Sequence, residues 1–377
     1  MSPVRCLVIA VAALIGGCAS TQVSDARPGF TPSASDSDEA GMWFQMRKAE
    51  LTLAQAPERV RDPVLQKYLD ELTCKLAEDL CPDIRVYLMR QPYLNAFMAP
   101  NGMMVLFTGT LLRAENEAQL AFVISHEIGH FRSRHSLENW RHTKNTANVL
   151  AGFGVIAGGS AVGIAALFGA YANLASFSRD QEREADSLGF TRLSALEYDA
   201  QAPAQLWGAA LAEEKANPRG FLSAVFASHP ATEERRDRLR ALAGNMRGST
   251  EVERYRKVTA GMRGGWLADE LARRNYAQSE VMLARLETIR WDQARVRGFQ
   301  GELYRKRAQA GDLPRAVAAY QKALRDPGAA PEIWRDLGIT LRRLNQQSEA
   351  KRAFAEYLKR VPDADDAAMV RSYLDEK

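Results

Sequence analysis

His126-Glu127-Ile128-Gly129-His130 constrains this chain more than any other stretch. Residues four apart on an α-helix project within about 40° of one another. Two imidazoles so placed can grip one metal ion, and the carboxylate between them lies beside the remaining coordination position. This H-E-x-x-H spacing suits zinc, which in reactive sites takes three protein ligands and keeps one position open. The pattern arises by chance on the order of once per hundred chains of this length, so the surrounding segments must carry the reading. Asn116 followed by Gln119 predicts a capping box that opens the helix. Leu120, Ala121, Phe122, Val123, Ile124 and Ile128 cover nearly every side of it, which predicts a buried helix. Buried His and Glu side chains need partners, and a metal ion at the floor of a cleft supplies one.

The chain has 377 residues, enough for two or three domains. With 46% apolar and 25% charged residues and a net charge of +4, nothing marks it as a nucleic-acid binder. Arg5 and the short apolar run 7–15 read as a targeting segment, too short to span a bilayer. Ile15-Gly16-Gly17-Cys18 resembles a bacterial lipobox. On that reading residues 1–17 are a signal peptide and Cys18 becomes a lipid-bearing N-terminus; the rival is a plain secretory signal. Ala19, rather than Asp, follows the cysteine and favours the periplasmic face of the outer membrane. Residues 18–40, rich in Ser, Thr, Pro, Asp and Gly, read as a flexible tether.

Only Cys74 and Cys81 then remain, in an oxidising compartment. In one continuous helix their Cα atoms would lie about 10 Å apart, too far to bridge. Pro82 disfavours helical geometry at Cys81, so the helix is expected to end near Leu80 and the chain to fold back. A disulfide and two separate thiols both stay open.

Residues 41–245 read as one domain. Val64, Leu65, Tyr68, Leu69, Leu72, Leu76 and Leu80 form a helical stripe. Residues 85–89, 95–99 and 103–108 look like strands, the last two joined around Asn101-Gly102, a hairpin signal. Residues 145–178 contain no charge, which suits a membrane-associated segment, a packed helical hairpin or a flap over the site. Residues 246–377 are helical and repetitive. Trp334, Leu337, Gly338, Ala350, Phe354 and Pro362 fall on tetratricopeptide positions, and a shift of about 34 residues finds Leu303, Ala316, Tyr320 and Ala323. Gly311 is then expected in the turn between two helices, and Trp266 at the start of a degenerate third repeat. Stacked helix pairs of this type hold peptide or protein.

Two histidines leave a zinc site one ligand short. His135 points about 140° away from His130 on a continuous helix, and is read as having a surface or supporting role. Glu182 is the better ligand candidate, with Asp186 on the same face, placed to accept a hydrogen bond from a ligand imidazole and fix its tautomer. Glu184 lies about 200° from Glu182 and is expected to face solvent.

Several separated segments resemble the HtpX/BepA-type family of zinc metalloendopeptidases. Asn95-Ala96-Phe97 resembles its strand before the hairpin. Asn116 to Ala121 followed by the His126–His130 motif resembles its motif helix. Ser178-Arg179 with Glu182 and Asp186 resembles its third-ligand segment, and Ser228-His229-Pro230 followed by Arg235 its late His-Pro element. The repeats make the periplasmic BepA-like branch the nearest in kind. The resemblance implies one zinc ion held by His126, His130 and Glu182, with Glu127 taking the proton of the attacking water. His229 would donate to the oxyanion or fill the fourth zinc position at rest, and Arg235 would pair with a nearby carboxylate.

The expectation is therefore an α+β, mostly helical catalytic domain with a small sheet, followed by an all-α repeat domain. The expected activity is a lipid-anchored zinc endopeptidase of the bacterial envelope acting on misassembled outer-membrane proteins, with repeats that recruit an assembly machine or the clients. The rival is a chaperone-like scaffold of outer-membrane assembly in which proteolysis is latent.

Overall fold

The computed structural model describes residues 24–33, 37–143, 177–217, 229 and 232–375. The signal segment, Cys18, Ser228, Pro230 and residues 145–176 of the uncharged stretch lie outside the described residues. The fold is mostly helical with one three-stranded sheet. Among the described residues, no helix is long and apolar enough to cross a membrane.

The sheet organises the first half. Strand β1 (Arg85–Met89) runs parallel to β3 (Met103–Phe107), and β2 (Ala96–Met98) pairs antiparallel with β3, giving the order β1-β3-β2. Gly102 turns the hairpin with φ +84°, and a Cβ there would meet the Asp83 carbonyl oxygen at 2.0 Å, so only glycine fits. Side chains alternate between faces. Phe97, Met103, Val105 and Phe107 pack under helix α1 (Ser37–Gln55) through Met42, Met46, Ala49 and Leu53. Ala96, Met98, Met104 and Leu106 face the opposite core, with α2 (Pro63–Ala77) and α4 (Glu117–Arg132). The short α3 (Thr108–Arg113) links the sheet to α4.

Helix α2 begins cleanly because Asp62 accepts the Leu65 N–H at 2.8 Å and Pro63 occupies its first position. Leu65, Tyr68, Leu69, Leu72 and Leu76 are buried, but Val64 is 65% exposed and does not belong to the stripe; one residue before Leu65 it points about 100° away. The helix ends at Ala77, and Leu80 is buried from a following 3-10 turn, Glu78–Asp83. That tighter turn brings Cys81 back until its Cα lies 4.6 Å from that of Cys74, and the two form a disulfide.

Helices α5 (His135–Thr143), α6 (Arg179–Ala195), α7 (Ala202–Ala216) and α8 (Glu233–Ala243) complete the surroundings of the motif. Four more follow: α9 (Val252–Thr259), α10 (Arg263–Ala272), α11 (Tyr276–Thr288) and α12 (Gln293–Arg307). The core containing α2 and α4 continues through Trp266, Leu271, Met282 and Leu286 to Leu303. Buried Arg113 of α3 ties these parts together, donating to Glu213 of α7 at 2.7 Å and to Glu270 of α10 at 2.9 Å.

A separate core joins α13 (Asp312–Ala323), α14 (Glu332–Arg343), α15 (Gln347–Arg360) and α16 (Ala367–Asp375). Gly311 sits in the α12–α13 turn with φ +83°. Gly338 lies so close to the Phe354 ring that a Cβ would approach it to 2.5 Å, and Gly301 stands in the same relation to Tyr320. Tyr320 and Phe354 are 34 residues apart, whereas Gly301 and Gly338 are 37 apart. The first helix of the earlier pair is thus displaced by three residues from the phase that Leu303 suggested.

Candidate metal centre

Helices α4 and α6 meet more closely than side-chain packing normally allows. A Cβ on Gly129 would lie 3.1 Å from the Ala185 Cα, and one on Gly189 would lie 3.2 Å from the His126 nitrogen. Two backbones in near contact let short side chains from both helices converge. Both helices start from defined caps. Asn116 accepts the Gln119 N–H at 3.0 Å, but Gln119 Oε1 accepts from Glu115 instead of closing the expected box on Asn116. A complete capping box instead opens α6, between Ser178 and Gln181.

His126, His130, Glu182 and His229 converge, all buried, with one donor atom from each inside a sphere of mutual distances up to 4.8 Å. His126 Nε2 lies 3.1 Å from His130 Nε2 and 3.2 Å from His229 Nδ1. Glu182 Oε1 lies 2.8 Å from His229 Nδ1 and 3.5 Å from His130 Nε2, and Glu182 Oε2 is 3.6 Å from His126 Nε2. Donors about 2.05 Å from a tetrahedral zinc ion stand about 3.3 Å apart, so this spacing fits zinc. The donor chemistry agrees: three ring nitrogens turned toward one point hold too few protons to satisfy one another, whereas a cation accepts all their lone pairs.

The supporting groups are equally specific. Asp186 Oδ1 lies 3.1 Å from His126 Nδ1, the nitrogen turned away from the cluster. Arg235 forks onto Asp186 with contacts of 2.9 and 2.7 Å, and its Nη1 lies 2.7 Å from Glu182 Oε2. Its guanidinium is centred 4.5 Å over the Trp207 ring, which supports it from below. His229 brings Nδ1 to the cluster and leaves Nε2 3.5 Å from Glu127 Oε1.

Burial and charge oppose each other here. Burial raises the Glu127 carboxyl above its ordinary range against the pull of His229 and His126. Burial pushes His130 well below the usual imidazole value. Burial alone would raise Glu182 and Asp186. For Glu182 the charges of His229 and Arg235 outweigh it and hold the carboxyl well below its usual range. For Asp186 the Arg235 charge and the His126 contact prevail, and the carboxyl sits at about 2. His229 is raised because Glu127 and Glu182 outweigh its burial.

Residues 59–243 match the model of Peptidase family M48. This segment is an M48 peptidase domain. Among relatives, the beta-barrel assembly-enhancing protease of Escherichia coli (strain K12) is 26% identical over 302 residues, covering 72% of this chain and 62% of that protein. Mitochondrial metalloendopeptidase OMA1 of Schizosaccharomyces pombe is 32% identical over 152 residues, covering 40% of this chain and 44% of that protein. OMA1 of Arabidopsis thaliana is 32% identical over 184 residues, covering 48% and 35%. The chain spans less than two thirds of the length of each of these relatives.

The structure brings together the three expected ligands His126, His130 and Glu182 with Glu127, His229, Asp186 and Arg235. His135 is not among the donors. The helix breaks at Ser133 and Arg134, the latter with φ +53°, and His135 turns back so that its Nδ1 lies 2.8 Å from His130 Nδ1. Glu184 is 53% exposed in its side chain, yet it accepts a hydrogen bond from Ser133 Oγ at 2.6 Å and lies 3.5 Å from His135 Nε2. Two aromatic supports carried no sequence signal. Phe177 stacks on the His130 ring with centroids 3.8 Å apart, and Trp207 lies beneath Arg235.

A small apolar pocket adjoins the cluster, lined by Asn95, Ala96, Phe122 and Trp207 together with Glu127 and His229. The edge strand β2 begins at its rim.

Proposed function

We propose that this chain is a zinc-dependent endopeptidase of the bacterial envelope. The observation that carries the reading is the convergence of His126, His130 and Glu182 from two helices, with the Glu127 carboxylate beside them. A zinc ion held by those three residues would polarise the scissile carbonyl and acidify a water molecule. Glu127 takes that water's proton and returns it to the leaving amine; its raised affinity for protons suits a group that must hold one briefly. Asp186 would keep His126 in the tautomer whose Nε2 points into the donor cluster with its lone pair free, and Arg235 would hold both carboxylates in place.

With Nδ1 turned inward, His229 would supply a fourth donor at rest. On this reading it withdraws when substrate arrives and then faces the developing oxyanion. The edge position of β2 supports a substrate that adds as an extended strand. That mode reads backbone more than side chains and suits unfolded chains.

The assembly-enhancing name of the Escherichia coli relative supports misassembled outer-membrane proteins as clients. The helices α12–α16 would then act as tetratricopeptide-type repeats that dock clients or assembly machinery. Lipidation at Cys18 would hold the enzyme to the outer membrane's periplasmic face. A second reading, a scaffold with latent proteolysis, is favoured by the inward position of His229.

Replacing Glu127 by Gln while the protein keeps its zinc separates the two. The endopeptidase reading expects loss of casein and client cleavage and of the cellular effect. The scaffold reading expects the cellular effect to persist. Trapping clients on the Glu127→Gln variant in envelope extracts identifies the substrates.

A further inference from the structure

Residues 24–33 lie on the M48 domain, although the composition of that stretch reads as tether. The Ala26 N–H donates to the Arg132 carbonyl at 2.7 Å, and the Gly29 N–H donates to Asp83 Oδ2 at 2.8 Å. The Arg134 guanidinium is centred 4.8 Å over the Phe30 ring and donates to the Ser24 carbonyl at 3.4 Å. Phe30 in turn meets the Trp43 ring of α1 edge-on, with centroids 6.3 Å apart.

Six Cα steps separate Cys18 from Ser24. Fully extended they span about 20 Å. A lipid on Cys18 therefore cannot let the domain swing freely; the face beside Ser24 must stay close to the headgroups.

Helix α1 borders that face, with Thr31 and Pro32 lining one hollow together with Phe44 and Leu51. Its inner stripe is Met42, Met46, Ala49 and Leu53. Its outer stripe carries Phe44 and Leu51, each 62% exposed and seven residues apart, with exposed Arg47 and Lys48 between them. The two glutamates of the same helix turn inward. Glu39 pairs with Arg134, and Glu50 accepts from Arg85 and Asn101. Apolar tips with cations outward and both glutamates inward are the pattern of a helix lying in a lipid headgroup layer.

We propose that the outer face of α1, with Phe30, rests on an anionic phospholipid bilayer and fixes the orientation of the catalytic domain against the membrane. The proposal rests on the reading of Cys18 as the lipid-bearing residue. Its consequence is that clients are met at the membrane surface, not at the reach of a loose leash.

The test uses the full lipidated chain in vesicles containing phosphatidylglycerol. Cys74 and Cys81 are bridged, so a Leu51→Cys variant offers one free thiol for a polarity-sensitive fluorophore; a Met369→Cys variant on α16 serves as control. With bromine-labelled phospholipid, the Leu51 probe should shift to the blue and lose most of its emission, while the Met369 probe keeps its own. Adding Arg47→Glu and Lys48→Glu should reverse most of the loss. A Leu51 probe that behaves like the Met369 probe on lipidated protein overturns the proposal. Mass spectrometry of the N-terminal peptide reports lipidation separately. An unlipidated Cys18→Ser form beginning at residue 18, whose Leu51 probe is still quenched, would support the surface and overturn its dependence on the anchor.

Discussion

The Nδ1 atoms of His130 and His135 face each other at 2.8 Å. With His130 Nε2 turned into the donor cluster, its proton belongs on Nδ1 and is donated to His135. His135 then carries its own proton on Nε2, toward Glu184 at 3.5 Å. His135 is thus placed to orient the ring of His130, one of the four clustered donors, from outside the cluster. Replacing His135 by Phe should weaken zinc affinity about 10–100-fold, the usual effect of losing such a partner. Asn, which offers an acceptor oxygen, should recover part of it. Competition against a chelator measures both, and equal affinities for wild type and the Phe variant would refute the role.

Asp186 and Arg235 form a buried pair whose worth depends on pH. The Asp186 carboxyl sits at about 2 against an ordinary 3.8. A carboxyl depressed by folding stabilises the fold fully above about pH 4 and loses that contribution as pH falls through 2. The amount is about 2 kcal/mol. Denaturant titrations at stepped pH should show a shallower acid slope in Asp186→Asn than in wild type, the remainder coming from Glu182, which is also held well below its usual range. Replacing Arg235 by Leu strands two carboxylates in the interior and should cost about 3–5 kcal/mol at neutral pH.

The close approach of α4 and α6 is a structural requirement of the centre. A Val at Gly189 would press on the His126 backbone, where a Cβ already comes within 3.2 Å. The two helices must part, and Glu182 moves away from the imidazoles. We expect Gly189→Val to lose stoichiometric zinc binding and to unfold at lower denaturant. Gly265→Ala, whose Cβ meets nothing within 4 Å, should be neutral or more stable by up to about 1 kcal/mol. Metal analysis and urea unfolding of both variants check this, and normal zinc content in Gly189→Val would contradict it.

The sequence exposed the centre well because its parts follow helical spacing. His126 and His130, and likewise Glu182 and Asp186, are four apart, so each pair shares a face before any tertiary contact is known. The sheet was legible for a similar reason, since alternation and Asn101-Gly102 are local signals. What stayed hidden depends on breaks and on non-local packing. His135 would point away on a continuous helix; the positive φ of Arg134 turns it back. Val64 looked like core by type alone, although one step of 100° puts it outside. Phe177 against His130 and Trp207 under Arg235 join residues 47 and 28 positions apart, and no periodicity announces such pairs. The composition of residues 24–33 suggested a tether, but hydrogen bonds from the Ala26 and Gly29 N–H groups and the Phe30 ring hold that stretch to the domain.

The central claim is that three side chains from two helices share one zinc ion. Diffraction from crystals of the purified protein, recorded on both sides of the zinc absorption edge, tests it most directly. We expect a single anomalous peak per chain, about 2.0–2.2 Å from His126 Nε2, His130 Nε2 and a Glu182 oxygen, which disappears in Glu182→Ala. A peak bonded elsewhere, or no peak from protein shown to contain zinc, would contradict it.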